Sequence, residues 1–255
     1  MMGYLDGLLR ALRPAFTREA TFVWFVVAFA GVVMRQEVYG VSSIIRALSL
    51  APVYYPALLH FFHSTAWTAE SLYRQWEAWL IGQPVVEQVA DRVVLLGDHT
   101  KQPKDGRRMP GVETLHQDSE TSSKPSFFRG HHWGCLSLLA QAHGKRFALP
   151  LWAEIHPEDS QDSRATRLVN IAAEIGLRWG MPLFLVLDAF FAVGPVFAVA
   201  AASKGALHIL TRAKKNVVAF QQPPPRPHRK GRRRMYGRKL KLMKLFDSRP
   251  HDFLS

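Results

Sequence analysis

The sequence predicts a mixed α/β protein, in which a mixed sheet with flanking helices follows an all-helical N-terminal domain. Residues 1–88 carry apolar side chains at helical spacing, and three strand candidates follow within residues 92–155. The chain then alternates helix, strand, helix and strand as far as Thr211. Three antiparallel strands followed by βαβ alternation describe a mixed sheet with helices packed on it.

The first 88 residues contain the signals of several short helices. The apolar run 22–34 has 13 residues, too few for the ~20 that span a bilayer, and predicts a buried core helix. Ser42 or Ser43 is expected to cap a short helix, and Thr68 another that ends at Gly82. The latter carries an apolar stripe that we interpret as core: Leu72, Trp76, Trp79 and Leu80.

The strands begin after Asp91. Residues 92–98 predict a buried strand, and the polar stretch 99–129 predicts a long loop that is functional or mobile. Residues 133–139 and 146–155 predict two further strands, joined as a hairpin through the intervening AHGK segment.

A helix opened by Asp162 or Ser163 and ending at Gly176 comes next. Residues 182–188 predict a fourth strand, and a helix beginning at Pro195 separates it from a fifth at 206–211.

The positive charge is concentrated near the C-terminus. Of the 33 Lys and Arg residues, fourteen lie within residues 204–244, where there is no acidic residue, and the other 19 balance the 20 Asp and Glu. A local surplus of this kind indicates a polyanion partner, nucleic acid first and anionic membrane second, with a solvated tail as the alternative.

Two aspartates follow apolar strand candidates. Asp98 follows residues 92–97, and Asp188 follows residues 183–187. If these strands are neighbours, both carboxylates open into one crevice at the carboxyl edge of the sheet. Carboxylates without His or Cys suit Mg²⁺ or Mn²⁺, and paired metals support phosphodiester displacement. For either aspartate alone, a turn residue or helix cap is the competing interpretation.

Four segments carry a resemblance to a known family. Residues 59–67 (LHFFHSTAW), 95–101 (LLGDHTK), 127–134 (FFRGHHWG) and 184–188 (FLVLD) resemble insertion-sequence transposases of the DDE superfamily. The resemblance implies a ribonuclease H-like catalytic domain, with Asp98 and Asp188 as catalytic ligands of Mg²⁺ (or Mn²⁺). It implies DNA strand cleavage and strand transfer at element ends.

The resemblance also implies partners and domains. Double-stranded DNA, as terminal repeats and target, is the expected partner, while self-association into a homo-oligomer stays open. Residues 1–88 are expected to form a helical DNA-binding domain, 89–222 an incomplete catalytic domain, and 223–255 a basic Pro/Arg/Lys-rich segment that starts an insertion. The chain is expected in the cytoplasm, associated with the nucleoid and not with a membrane.

The family pattern has a third carboxylate, a Glu on a later helix. In this sequence the only acidic residues after Asp188 are Asp247 and Asp252. We therefore expect a C-terminally truncated chain and an impaired activity for the chain alone. Whether the third ligand is encoded downstream or the chain is a decayed fragment stays open. Glu113, Asp118 and Glu120 are weaker candidates for a substitute ligand.

Several basic residues are predicted to contact DNA phosphates. They are Lys101, Lys104, Arg107, Arg108, Lys214, Lys215, Arg229, Lys230, Arg232, Arg233 and Arg234.

Two other side-chain patterns have competing interpretations. His99 either positions Asp98 or faces the other side of the strand as a core residue. A zinc site made of His131, His132, Cys135 and His143 is disfavoured, because the spacing matches no structural zinc pattern.

Two further function classes stay open at this point. A non-catalytic DNA-binding remnant, inhibiting a full-length transposase by occupying its ends, would bind DNA without metal. A membrane-associated protein held by residues 22–34 and the basic tail would sediment with membranes. The single cysteine excludes a disulfide framework.

Overall fold

The computed structural model describes residues 2–37, 40–106, 108–117, 125–157, 160–213, 216–225, 235–249 and 251. The chain divides into two compact units. The first, called the helical unit, consists of Met1–Gln88 and Ser137–Ala153. The second, called the sheet unit, consists of Val89–Leu136 and Glu154–Ser255. The domain boundaries at residues 88 and 222 stay predictions.

The described part of the helical unit contains five α-helices, of which α2 to α5 contribute residues to one aromatic core. Phe16, Ile44, Leu58 and Phe61 are buried at its centre, and Trp67 stacks on Phe61 with ring centroids 5.2 Å apart. The helices are α1 Met2–Leu12, α2 Glu19–Met34, α3 Gly40–Ala47, α4 Tyr55–His63 and α5 Ala69–Ile81.

One predicted helix cap is present, and another is not. Thr68 caps α5 as predicted, in a capping box with Ser71. The cap predicted at Ser42 or Ser43 is wrong. Helix α3 begins at Gly40, and Ser43 lies inside it with its hydroxyl donating to the Gly40 carbonyl at 2.8 Å.

Helix α2 contributes to the core, as the sequence predicts, but it is buried on one face only. Thr21, Ala28 and Gly31 are buried, whereas Val33 is 69% exposed. The helix is apolar on every side, so packing against its neighbours decides which face is covered. No helix within the described residues is long and apolar enough to cross a membrane.

The sheet has a mixed topology. Its order is β3-β4-β2-β6-β7, with β5 also paired to β4 and β1 to β2. Strands β2, β6 and β7 are parallel, and β3 is antiparallel to β4. The strands are β1 Gln88–Val89, β2 Arg92–Pro103, β3 Glu113–His116, β4 Phe127–Ala142, β5 Lys145–Ile155, β6 Leu183–Leu187 and β7 Leu207–Thr211.

This topology confirms the predicted fold class. The five main strands β2, β4, β5, β6 and β7 lie in the order β5-β4-β2-β6-β7, which is the ribonuclease H-like arrangement. The predicted hairpin joins β4 to β5 through His143 and Gly144, whose φ angles of 50° and 73° suit a type I′ turn.

The long loop predicted for residues 99–129 is wrong in part. Strand β2 continues to Pro103, and β3 occupies Glu113–His116 and pairs with the start of β4 at Phe127. Most of the additional residues of β2 and β3 are polar, so their conformation depends on pairing across the sheet and not on a local apolar run.

Two helices follow the hairpin in the sheet unit, α6 Arg164–Trp179 and α7 Gly194–Ala202. Ser163 caps α6 as predicted. Its predicted end at Gly176 is wrong, because α6 continues to a left-handed Gly180 (φ 61°). Because Gly176 has no side chain, Leu183 can pack directly against the helix there. Its Cδ1 would lie only 2.8 Å from a Cβ added at Gly176.

Beyond β7 the described segments are short. Strands β8 Val218–Phe220 and β9 Lys239–Lys241 form an antiparallel pair, and α8 Met243–Ser248 follows.

Candidate active site

Asp98 and Asp188 occupy matching positions on neighbouring parallel strands. The register of β2 and β6 pairs Leu96 with Val186 and Gly97 with Leu187, so each aspartate is the next residue of the chain after a paired position. Both aspartates are exposed. The predicted juxtaposition at one sheet edge therefore follows from the backbone pairing.

The strand ends differ from the sequence prediction. Strand β6 ends at Leu187, but β2 continues past Asp98 to Pro103. Asp98 consequently lies inside a long strand, at the point where its parallel neighbour turns away. Asp188 caps the 3₁₀ helix Ala189–Phe191.

Each carboxylate has one oxygen held by the backbone. Oδ1 of Asp98 accepts from the amide of His99 at 2.8 Å, and Oδ1 of Asp188 accepts from the amide of Phe190 at 2.9 Å. The hydroxyl of Thr211 on β7 donates to the main-chain carbonyl of Asp188 at 2.6 Å. The capping role that competes with a metal role at Asp188 is therefore present, and it uses one of the two oxygens.

Gly97 allows the strand before Asp98 to pack closely. A Cβ at this position would lie 2.6 Å from Leu187 Cδ2 and 2.8 Å from Leu168 Cδ2. The absent side chain thus lets β6 and α6 press against β2 one residue before the carboxylate.

His99 faces away from Asp98, since successive strand residues point to opposite sides. Its ring centroid lies 4.9 Å from that of Phe191, 5.6 Å from Phe190 and 5.0 Å from His132. Burial lowers the pKa of His99, while a hydrogen bond to the backbone of Arg164 raises it in part. The side chain of His99 therefore faces the opposite side of the strand from Asp98 and packs among these rings.

His132 is buried beside His99. It is 7% exposed, and neither ring nitrogen has a hydrogen-bond partner among the described residues. Burial and, to a smaller extent, the positive charge of Arg164 lower the pKa of His132 to about 4. This histidine is therefore neutral at physiological pH.

Arg164 was not singled out by the sequence, and it organises this side of the site. It is the first residue of α6, and its Nη2 contacts both carboxylate oxygens of Glu113, one of them at 2.6 Å. Its place directly after the Ser163 cap is the one local signal that marks it. Glu113, a weak candidate for a third metal ligand, is thus held by an arginine.

The other weak candidates for a third ligand, Asp118 and Glu120, lie outside the described residues. Within the residues that the structure describes, no group of three His, Cys, Asp or Glu side chains could hold a metal. Of the disfavoured zinc set, His131 has Nε2 3.0 Å from the Pro110 carbonyl oxygen, and His143 lies in the β4–β5 turn.

Few of the residues predicted to contact DNA are described. Nζ of Lys101 donates to the His116 carbonyl at 2.8 Å, Lys104 is half-buried, and Arg108 is exposed. The remaining predicted contacts lie outside the described residues: Arg107, Lys214, Lys215, Arg229, Lys230, Arg232, Arg233 and Arg234.

The donor set at the two aspartates fits a hard divalent cation. Asp98 and Asp188 offer carboxylate oxygens, which Mg²⁺ and Mn²⁺ prefer, on an exposed edge open to solvent and substrate. They supply two protein ligands, and Mg²⁺ ordinarily keeps several water ligands.

Comparisons with known proteins identify the family of this chain. No curated protein matches the chain. A solved structure of piggyBac transposase, in a synaptic complex with hairpin DNA, is 12% identical with a TM-score of 0.40. The similarity covers 79% of this chain and 43% of that one, so this chain spans less than half of that transposase. The family model described as DDE superfamily endonuclease matches residues 11–250, and the chain therefore belongs to the DDE superfamily endonucleases.

Proposed function

We propose that this chain carries out Mg²⁺- or Mn²⁺-dependent DNA strand cleavage and strand transfer at the ends of an insertion sequence. The observation that supports this function is the register of β2 and β6, which puts Asp98 beside Asp188 in a chain of an endonuclease family. Asp98 and Asp188 are the proposed metal ligands.

The proposed chemistry divides between the cation and the chain. A bound divalent cation would polarise the scissile phosphate and lower the pKa of the attacking hydroxyl or water. The free carboxylate oxygens of Asp98 and Asp188 would hold it, while the backbone amides of His99 and Phe190 fix each carboxylate through its other oxygen. The side chains are thereby oriented before metal or DNA arrives.

DNA is the proposed partner because of the segregated positive charge. Residues 204–244 carry fourteen Lys and Arg and no acidic residue, which suits the release of counterions from DNA phosphates. We extend this role to the basic residues predicted from the sequence, of which Arg108 is described and exposed. Residues 1–88 are the proposed DNA-binding domain, and association with the nucleoid follows from the same partner.

The test compares three carboxylate variants. Asp98→Asn and Asp188→Asn remove the proposed ligands, whereas Asp91→Asn is the matched control. Asp91 lies at the other end of β2, roughly 23 Å away along the strand. It occupies a left-handed turn (φ 57°) that Asn also tolerates.

Two readouts are measured: Mn²⁺ binding by electron paramagnetic resonance, and nicking of supercoiled plasmid in Mn²⁺. We expect both to be lost in Asp98→Asn and Asp188→Asn and to be retained in wild type and Asp91→Asn. Nicking that persists in Asp98→Asn would overturn the assignment.

A non-catalytic DNA-binding protein, able to inhibit a full-length transposase by occupying its ends, is the second candidate function. It is favoured by the absence, among the described residues, of a third carboxylate grouped with the first two. For this second function we expect the affinity for duplex DNA to be the same with and without chelator, and the same in both Asp→Asn variants. The wild-type chain would not nick DNA.

A further inference from the structure

The spacing between Asp98 and Asp188 depends on contacts beyond the sheet. The register of β2 and β6 ends with Gly97 and Leu187. After this pair the chain of Asp188 leaves the sheet and forms the 3₁₀ helix Ala189–Phe191. Some other contact must therefore hold this short helix against the continuing strand β2.

His99 makes that contact. It follows Asp98 directly, and its ring packs against Phe190 and Phe191, which follow Asp188 by two and three residues. Phe191 is buried, with 1% of its surface exposed, so its packing fixes the position of the His99 ring against it. Each carboxylate is consequently one to three residues from the same aromatic contact.

The ring of His99 also packs on a second element. The buried ring of His132 on β4 lies 5.0 Å from it at an interplanar angle of 86°. His99 thus contacts β4 and the 3₁₀ helix from its place on β2. A side chain packed against two other elements cannot change rotamer without disturbing its neighbours.

We propose that His99 is a positioning residue, whose ring sets the separation of Asp98 and Asp188 by holding the 3₁₀ helix Ala189–Phe191 against β2. This inference rests on the proposed function, in which the two aspartates share a divalent cation. His99 faces away from the carboxylates and acts through Phe190 and Phe191.

The experiment measures Mn²⁺ affinity by electron paramagnetic resonance in the full chain, with thermal unfolding recorded for every variant. His99→Ala is expected to weaken Mn²⁺ binding about tenfold, the lower end of the range for residues that orient metal ligands. His99→Phe keeps an aromatic ring against Phe190 and Phe191, and it is expected to restore most of the affinity.

Two further variants separate positioning from general stability. Phe190→Ala removes the contact from the side of Asp188. Because Phe190 is 51% exposed and its backbone amide still holds Asp188, the fold should tolerate this change, and the affinity should fall as in His99→Ala. His208→Ala is the matched control, since His208 on β7 contacts Phe184 of β6 with ring centroids 5.8 Å apart, at the far end of β6.

The outcomes are distinguishable. If wild type shows no Mn²⁺ binding that depends on Asp98 and Asp188, the proposed metal site is wrong and this inference is overturned with it. If wild type binds Mn²⁺ but Phe190→Ala and a folded His99 variant bind equally well, the positioning role alone is overturned. A loss of affinity in His208→Ala as large as in Phe190→Ala would also overturn it.

Discussion

Asp98 lies beside Asp188 because the residues before them, Gly97 and Leu187, are partners in the parallel pairing of β2 and β6. Neighbouring strands lie about 4.8 Å apart, so residues at matching positions carry their side chains in close proximity. The pairing depends on close contact at Gly97, where Leu187 and Leu168 occupy the space that a side chain would need. This relationship and its surroundings lead to four predictions.

Gly97→Ala should destabilise the protein and disturb the site. The added Cβ would lie 2.6 Å from Leu187 Cδ2 and 2.8 Å from Leu168 Cδ2, and both belong to the packed core of the sheet unit. Overpacking of this kind costs about 1–3 kcal/mol. Urea unfolding measures the loss, and Mn²⁺ affinity should fall as Asp98 is displaced.

Gly7→Ala is the control for this substitution. Gly7 lies within α1, and no atom is found within 4 Å of an added Cβ there among the described residues. The change should raise the free energy of unfolding by about 0.5–1 kcal/mol, because alanine favours the helix. Equal stability losses in Gly97→Ala and Gly7→Ala would contradict the packing argument.

The buried His132 should make stability depend on pH. Folding lowers its pKa from 6.5 to about 4, so the unfolded chain binds a proton that the folded chain does not between these values. The folded state is therefore favoured fully above pH 6.5, where His132 is neutral in both states, and this advantage is lost as the pH falls toward 4. The loss attributable to this group is about 3 kcal/mol.

His132→Phe isolates this contribution. The phenyl ring fills similar space, and among the described residues no hydrogen bond to either ring nitrogen is broken. Urea unfolding at neutral pH and near pH 4 should show a smaller difference for the variant than for wild type. Identical pH profiles would rule out His132 as a source of the acid sensitivity.

Cys135 is the only cysteine in the chain, and it reports on the charge of Asp98. Burial raises the pKa of its thiol, and the negative charge of Asp98 raises it further. Asp98→Asn should therefore lower this pKa and speed alkylation by uncharged iodoacetamide about threefold at mildly alkaline pH.

Added Mg²⁺ should have a similar effect on wild type, because a bound cation offsets the same negative charge. Asp91→Asn should react at the wild-type rate. An alkylation rate that responds neither to Asp98→Asn nor to Mg²⁺ would contradict the proximity of thiol and carboxylate.

Glu113 should not act as a third metal ligand. Arg164 contacts both oxygens of its carboxylate, so coordination of a metal would require breaking this ion pair. Glu113→Gln should leave Mn²⁺ affinity unchanged. Because Glu113 and Arg164 are 41% and 34% exposed, the stability loss should stay at or below about 1 kcal/mol. A clear drop in Mn²⁺ affinity would show that Glu113 does reach the cation.

Local sequence signals were sufficient where an element depends on its own residues. The cap at Thr68, the apolar run of β6 and the turn at His143 and Gly144 were each predicted, and the structure has them. Caps, apolar runs and turns are decided within a few residues. These local signals were sufficient to predict a mixed sheet with flanking helices after a helical segment.

Elements whose stability comes from distant partners were missed. The polar second half of β2 and the whole of β3 form strands because β4 pairs with them, and nothing within residues 99–116 indicates this. Similarly, the one-sided burial of α2 depends on which helices pack against it. Pairing and packing between distant segments override local propensity.

The sequence by itself determined that two apolar strands lead to Asp98 and Asp188, and that the excess positive charge lies in residues 204–244. Only the tertiary structure decided that these strands pair in register, that Glu113 is bound by Arg164, and that His99 packs on Phe191. The physical reason is that a local pattern specifies an element and the face it buries. The partner across that face is selected by close packing of the whole sheet and its helices.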